Sequence, residues 1–159
     1  MIPVFSMRII SQNIKTGTIK VADNIIASSG YGVALFVGFT QGDDENIIHK
    51  MAEKVINMRL FPDADGKTNL SLMEVNGAML VIPNFTLYGS LRKARRPSFS
   101  DALIPDKAQL LYNKFIEELQ NHNIPLAAGI FGADMEITLV NDGPFTIIID
   151  SECLFGTAS

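Results

Sequence analysis

Titratable or nucleophilic side chains at a working spacing usually betray catalysis, and this sequence has no such set. It contains no G-x-S-x-G elbow, no Cys/His pair and no glycine-rich phosphate loop. The single cysteine is Cys153, and His49 and His122 each lack a second His or Cys at ligand spacing, so no metal site and no cofactor is expected. Both histidines read as surface residues. Asp63-Ala64-Asp65-Gly66-Lys67 looks superficially like a calcium loop, but its acidic residues are too sparse and the terminal bidentate Glu is missing. Any catalysis must therefore rest on backbone donors and on groups that the substrate brings.

Three stretches could supply such a site. In VNDGPFTIIID, Val140 to Asp150, a Gly-Pro pair interrupts strand-like residues. Proline has no amide hydrogen for a ladder and glycine packs no side chain, so Gly143-Pro144 marks either a sharp turn or a site. In Leu91-Arg92-Lys93-Ala94-Arg95-Arg96-Pro97, four of the thirteen basic residues crowd together in a chain of net charge −4. Such charges repel one another, and the stretch is either a solvated loop or a place for phosphates, with a single strand or an RNA end fitting its scale better than a duplex. The third stretch, NFTLYG from Asn84 to Gly89, leaves an apolar strand directly after Pro83. It is either a strand end with Phe85 and Leu87 in the core, or a set of backbone groups freed from the ladder to face something else.

The elements that must hold these stretches are legible as a pattern. At 159 residues, 47% hydrophobic and 19% charged, the chain has globular composition and one domain, 1–159 with a tail from 150, is expected. One cysteine excludes an intrachain disulfide, no apolar run reaches the roughly 18 residues of a membrane span, and MIPVFSMRIISQ has no basic region ahead of a long apolar run; a cytoplasmic protein is expected. Met7 to Ile10, Thr18 to Val21 and Asn24 to Ala27 read as a meander broken at Thr16-Gly17 and Asp23-Asn24. GVALFVGF, Gly32 to Phe39, reads as a strand covered on both faces. Gly42-Asp43-Asp44 opens a helix with Ile47, Ile48, Met51, Ala52, Val55 and Met58 on one face, ended by Pro62. Ala78 to Ile82 is the next strand, and Pro105 starts a second helix carrying Ala108, Leu111, Tyr112, Phe115, Ile116 and Leu119, broken over Asn121 to Pro125. Ile130-Phe131, Met135 to Val140 and Phe145 to Ile149 complete a strand-rich final third. The fold class is α/β, with layered, largely antiparallel or mixed sheets and two main helices on one face.

NDGPFT (Asn141 to Thr146), NFTLYG, RRPSFSDA (Arg95 to Ala102), FPDADGKTNLSL (Phe61 to Leu72) and GIFGADMEITLVNDGP (Gly129 to Pro144) together resemble the D-aminoacyl-tRNA deacylases, formerly described through D-tyrosyl-tRNA. The likeness runs in order from about Arg8 to Asp150. It implies a homodimer, with active sites at its interface, that hydrolyses the ester between a D-amino acid, or glycine, and the 3′ end of tRNA. In that family the Gly-Pro pair is cis and enters the partner subunit's site, where its carbonyls fill the space an L side chain would need. Gly143 and Pro144 are then the chirality filter. A rigid main chain suits that task, because it cannot swing aside as a rotamer can.

The family's Ser-Gln-Phe-Thr corresponds to Pro83, Asn84, Phe85 and Thr86 here, so two of four positions depart. The resemblance makes these the catalytic positions, with the Phe85 amide donating to the oxyanion and Thr86 in a positioning role, while the terminal ribose 2′-hydroxyl assists the water. It also implies substrate contacts from the Met135 main chain, Asn141 and Thr146, an Arg8 that braces the Gly-Pro segment, and tRNA phosphates on Arg92, Lys93, Arg95 and Arg96. A related branch has proline at the first of the four positions, a trans Gly-Pro bond and looser chirality. Two alternatives therefore stand beside the strict deacylase: a relaxed-chirality proofreading paralogue, and a non-catalytic dimer that binds an RNA end or a protein.

Overall fold

β1 (Arg8–Val21), β2 (Asn24–Ser29) and β3 (Gly32–Gly38) open the chain in the computed structural model, which describes residues 6–156. β1 pairs antiparallel with β3 along its first half and with β2 along its second. The expected break at Thr16-Gly17 is absent. β1 is one 14-residue strand, and a methyl on Gly17 would lie 2.7 Å from the Leu80 side chain and 2.9 Å from that of Leu139. The glycine thus serves a close approach and not a turn. The turn at residues 22–23 is real, with Ala22 and Asp23 both at positive φ as a two-residue hairpin on a right-twisted ladder requires.

α1 (Glu45–Asn57) begins at Asp44, whose carboxylate caps the Ile47 amide at 2.9 Å. It ends at Asn57 and not at Pro62. Residues Arg59–Pro62 form β4, antiparallel to β5 (Thr68–Ser71), because Phe61 is wholly buried against Tyr31 with ring centroids 5.4 Å apart. Tertiary burial at one aromatic outweighs the helical spacing that reaches Met58.

β6 (Ala78–Pro83) then lies parallel to β3, and α2 (Pro105–Gln120) returns the chain to β7 (Leu126–Ala128), parallel to β6. Parallel neighbours need crossovers, and these place both helices on one face. Ile48, Met51, Val55, Phe115 and Leu119 pack there on Val33, Leu35, Met79 and Val81, while Ala34, Leu80 and Ile82 meet Ile14, Ile19 and Leu139 on the other face. The continuous apolar run of β3 is buried on both sides as its composition predicts. His49 lies 3.1 Å from Glu118 and His122 lies 3.5 Å from Glu53, two contacts that link α1 to α2 and to the turn after it.

Ile130-Phe131 is a turn and not a strand; the strand is the preceding β7, and Phe131 packs its ring on Tyr112 at 6.0 Å. β8 (Glu136–Asp150) is likewise one 15-residue strand along β1 where two were expected. The chain closes with α3 (Ser151–Phe155), capped by Asp150 through bonds of 3.1 and 3.3 Å from the Glu152 and Cys153 amides. Residues 157–159 of the expected tail, and 1–5 of the N-terminal segment, lie outside the described residues. Among the described residues no helix is long and apolar enough to cross a membrane.

Candidate active site at the end of β6

Pro83 is the last residue of β6, paired with Val37, yet the ladder outlasts it by one bond, since the Asn84 amide donates to the Val37 carbonyl at 2.8 Å. The chain leaves the sheet at Phe85, into a single 3-10 turn, Phe85–Tyr88. Asn84 caps the turn, its Oδ1 accepting from the Thr86 amide at 3.2 Å and from the Thr86 hydroxyl at 2.5 Å. The cap leaves the Phe85 amide, first in the turn, with no acceptor among the described residues. Phe85 is not the core residue that a plain strand end would make it, because its side chain is 56% exposed.

A hollow of about 480 Å³ adjoins this turn. Phe39, Phe85, Phe99, Leu103, Ile104 and Phe131 are the large apolar side chains of its wall, with Phe85 and Phe99 meeting edge to face at 5.2 Å. None of the residues that line it carries a titratable side chain. Thr86 has its hydroxyl committed to Asn84, with no general base beside it, which suits positioning and not nucleophilic attack.

Arg8 holds the turn from behind. Its Nη1 donates to the Leu87 carbonyl at 2.8 Å, its Nε lies 3.6 Å from Asp150, and its guanidinium sits 5.0 Å from the centre of the Tyr88 ring. The Tyr88 hydroxyl donates in turn toward the Ser6 carbonyl at 2.6 Å and the Gly38 carbonyl at 3.0 Å, and Ser6 donates to Asp150 at 2.7 Å. Burial, with the Asp43 charge adding to it, holds the Tyr88 phenol far above its ordinary range. In its own chain Arg8 therefore braces the Phe85–Tyr88 turn. Replacing Arg8 by Met should leave the 5%-exposed Asp150 carboxylate without its cation and cost about 3 kcal/mol, or roughly 6–12 °C in melting temperature. Adding Asp150→Asn should recover most of that loss, and thermal melts of the single and double variants decide it.

Asp43 belongs to the same cluster, accepting from the Thr40 amide at 2.8 Å. Burial is the main cause that pushes its carboxyl up to about 7; Asp44 and Asp150 add to the shift while amides of Thr40 and Met7 oppose it. The unfolded chain loses that proton near 4 and the folded one near 7, so stability falls as pH rises across this window and is flat above it. Asp43→Asn keeps an acceptor for Thr40 and removes the charge. It should raise stability by about 1–2 kcal/mol at pH 8 and by almost nothing at pH 4, as read from denaturant unfolding at the two pH values.

The Gly-Pro pair lies elsewhere. Gln12 pairs with Thr146 and Ile14 with Asn141, so four residues of β8, Asp142 to Phe145, stand opposite Asn13 alone and bulge from the ladder. Gly143 has φ +146° and the Gly143-Pro144 peptide bond is cis. Asn13 donates to the Leu60 carbonyl at 2.9 Å, and the negative charge of Asp142 raises the Tyr31 phenol, second to burial, which puts the bulge beside Tyr31 and β4. That is the Gly32 end of β3, whereas Phe85 lies beyond the Gly38 end. Seven residues of strand separate the two ends by roughly 20 Å. One chain does not bring Gly143 and Pro144 to Phe85.

The remaining candidates divide between these places. Asn141 and Thr146 are exposed and flank the bulge. Met135 packs near Pro83, since a methyl on Gly129 would lie 2.7 Å from the Met135 sulfur and 3.2 Å from Pro83 Cδ, but it lines a separate hollow with Lys20 and Asp23. Arg92, Lys93, Arg95 and Arg96 are exposed on the loop that follows the turn. Sequence reasoning missed Asp43, Tyr88 and Asp150. Asp150-Ser151-Glu152 does carry a helix N-cap signal, hidden by reading the segment as a tail.

The family model described as D-Tyr-tRNA(Tyr) deacylase matches residues 10–150. A D-aminoacyl-tRNA deacylase of Desulfotalea psychrophila is 44% identical over 94% of this chain and 100% of its own, and one of Thermosipho africanus is 41% identical with the same coverage. Among solved structures, c-Myc DNA Unwinding Element Binding Protein superposes with a TM-score of 0.84 at 29% identity, over 89% of this chain and 97% of its own. A probable eukaryotic D-amino acid tRNA deacylase shares the fold at TM-score 0.81 and 17% identity, over 92% of this chain and all of its own. With the family's pattern spanning nearly all of its length and a site that lacks any protein acid, base or nucleophile, the chain belongs to the D-Tyr-tRNA(Tyr) deacylase family.

Proposed function

We propose that the chain hydrolyses the ester that links a D-amino acid, or glycine, to the 3′ end of tRNA, as a chiral proofreading step in the cytoplasm. The observation that carries the reading is an apolar hollow with no titratable wall, adjoined by a backbone amide that has no acceptor among the described residues. Water attacks the ester carbonyl, the Phe85 amide stabilises the oxyanion, and the bond to the ribose oxygen breaks to release free amino acid and tRNA. The neighbouring 2′-hydroxyl of the substrate orients that water, the role no side chain here can take. Phe85 and Phe99 offer aromatic surface to the terminal base, and Arg92, Lys93, Arg95 and Arg96 attract the backbone phosphates.

The filter acts between subunits in this reading. Gly143 and Pro144 of one copy enter the Phe85 hollow of the other, which removes the 20 Å separation within a chain. β8 supports pairing of copies: among the described strands only β1 borders it, and Val140, Ile147 and Ile148 are 49%, 37% and 59% exposed. An L side chain would meet the Gly-Pro main chain, whereas a D-residue and glycine both present hydrogen there. Incubation with D-, L- and glycyl-tRNA should therefore consume the D- and glycyl esters and leave the L-ester, with a dimer on light scattering. Retention of every ester would overturn the reading, and tight tRNA binding without ester loss would favour the non-catalytic alternative.

A further inference from the structure

The basic loop is a built pocket and not a loose tether. Ser90 and Ser98 clasp its base with two reciprocal amide-to-carbonyl bonds of 2.8 Å, which close Leu91 to Pro97 into a compact loop. Arg92, Lys93 and Arg96 line a hollow of about 520 Å³ there, together with Ser90, Ser98 and Ser100. The serines are mutually ordered, with Ser98 Oγ 3.2 Å from Ser100 Oγ and Ser90 Oγ accepting from the Arg92 amide at 3.4 Å. Asp101 also lines the hollow, so three cations and one carboxylate leave it net positive. None of the cations makes an ion pair among the described residues. Arg95 is on the loop but not in the wall.

Ser100 decides what this pocket is for, because it lines both the basic hollow and the apolar hollow beside Phe85. The two hollows are neighbours across Ser100, one apolar and the other cationic with hydroxyl donors. A nucleotide chain has that order: an uncharged nucleoside, then a phosphodiester. We propose that the Arg92/Lys93/Arg96 pocket binds the phosphodiester on the 5′ side of the terminal nucleoside, with Ser98 and Ser100 donating to its non-bridging oxygens. This rests on the deacylase reading and deepens it: the enzyme measures its substrate as a nucleotide and not as a nucleoside ester. Cations fixed within a clasped loop bind a phosphate at less entropic cost than cations on a free one.

The test uses a non-hydrolysable 3′-D-alanylamido-3′-deoxyadenosine, with and without a 5′-phosphate, titrated into the full-length protein. The phosphorylated probe should bind about tenfold more tightly at low salt, and the difference should vanish in 0.5 M salt. It should also vanish in Arg96→Ala and shrink in Ser98→Ala, yet survive in Lys107→Ala, an exposed cation of α2 that lines neither hollow. Equal binding of both probes overturns the inference and leaves the deacylase reading intact. A phosphate advantage lost equally in Lys107→Ala also overturns it, because the effect would then be diffuse charge. Failure of both probes to bind removes the Phe85 hollow as the substrate site and the inference with it.

Discussion

Phe85→Pro should lower hydrolysis of D-aminoacyl-tRNA on the order of 10²–10³-fold in kcat, with Phe85→Leu losing far less. Proline deletes only one hydrogen-bond donor from the backbone, that of Phe85, and in the folded chain this donor has no acceptor among the described residues. The position tolerates the ring: Phe85 is the first residue of its turn, and Asn84, with φ −150° and ψ 92°, is already outside the α region that a following proline disfavours. Leucine keeps the amide and most of the apolar wall, so the pair separates backbone from side chain. The rates are best compared in single turnover with saturating enzyme, where binding losses drop out. Equal losses in the two variants would mean that the ring matters and the amide does not.

How far such a site can be read in advance depends on whether its parts are neighbours in sequence. Asn84, Phe85 and Thr86 are consecutive, and a proline leaving an apolar run is enough to mark them. Phe99 and Phe131 enter the same hollow from loops on either side of α2, and nothing local tells either from an ordinary core or strand residue. The same holds for the Arg8 and Asp150 pair, which the β1 and β8 register sets face to face across the whole length of the chain. Hydrophobic period and helix signals recover elements; they do not recover which ends of those elements meet.

The misread elements share one cause. Gly17 and the Gly143-Pro144 pair both weaken a ladder locally, so each suggests a break between two strands. Each instead sits inside a strand whose neighbouring pairs hold it: β1 passes through Gly17 because Leu80 and Leu139 crowd the site, and β8 passes its bulge because Asn141 and Thr146 stay registered on Ile14 and Gln12. Pro62 similarly closes a β-strand that buried Phe61 secures. Punctuation residues report a local need of the backbone, and tertiary packing decides whether the element ends there. Two-sided burial of β3 was legible because a fully apolar run admits no exposed face.

The bulge is where a small change should have a large effect without loss of the fold. Gly143→Ala is expected to cut D-aminoacyl-tRNA hydrolysis on the order of 10²-fold, the scale on which a displacement of about 1 Å acts at a reacting centre. At φ +146° the new methyl would lie 2.4 Å from the Phe145 amide nitrogen, a backbone atom that cannot rotate away, so this corner of the backbone must change shape. The flanking pairs remain and the bulge is largely solvated, so the melting temperature should move by only a few degrees. Mixing this variant with Phe85→Pro then tests where the wedge acts. With Gly143 and Pro144 acting between subunits as proposed, reassorted dimers pair an intact Phe85 amide on one subunit with an intact Gly143 on the other. Half the dimers are mixed, each with one sound site of two, and about a quarter of wild-type activity should return. A wedge that served the hollow of its own chain would give no recovery at all, because neither chain in the mixture carries both intact parts.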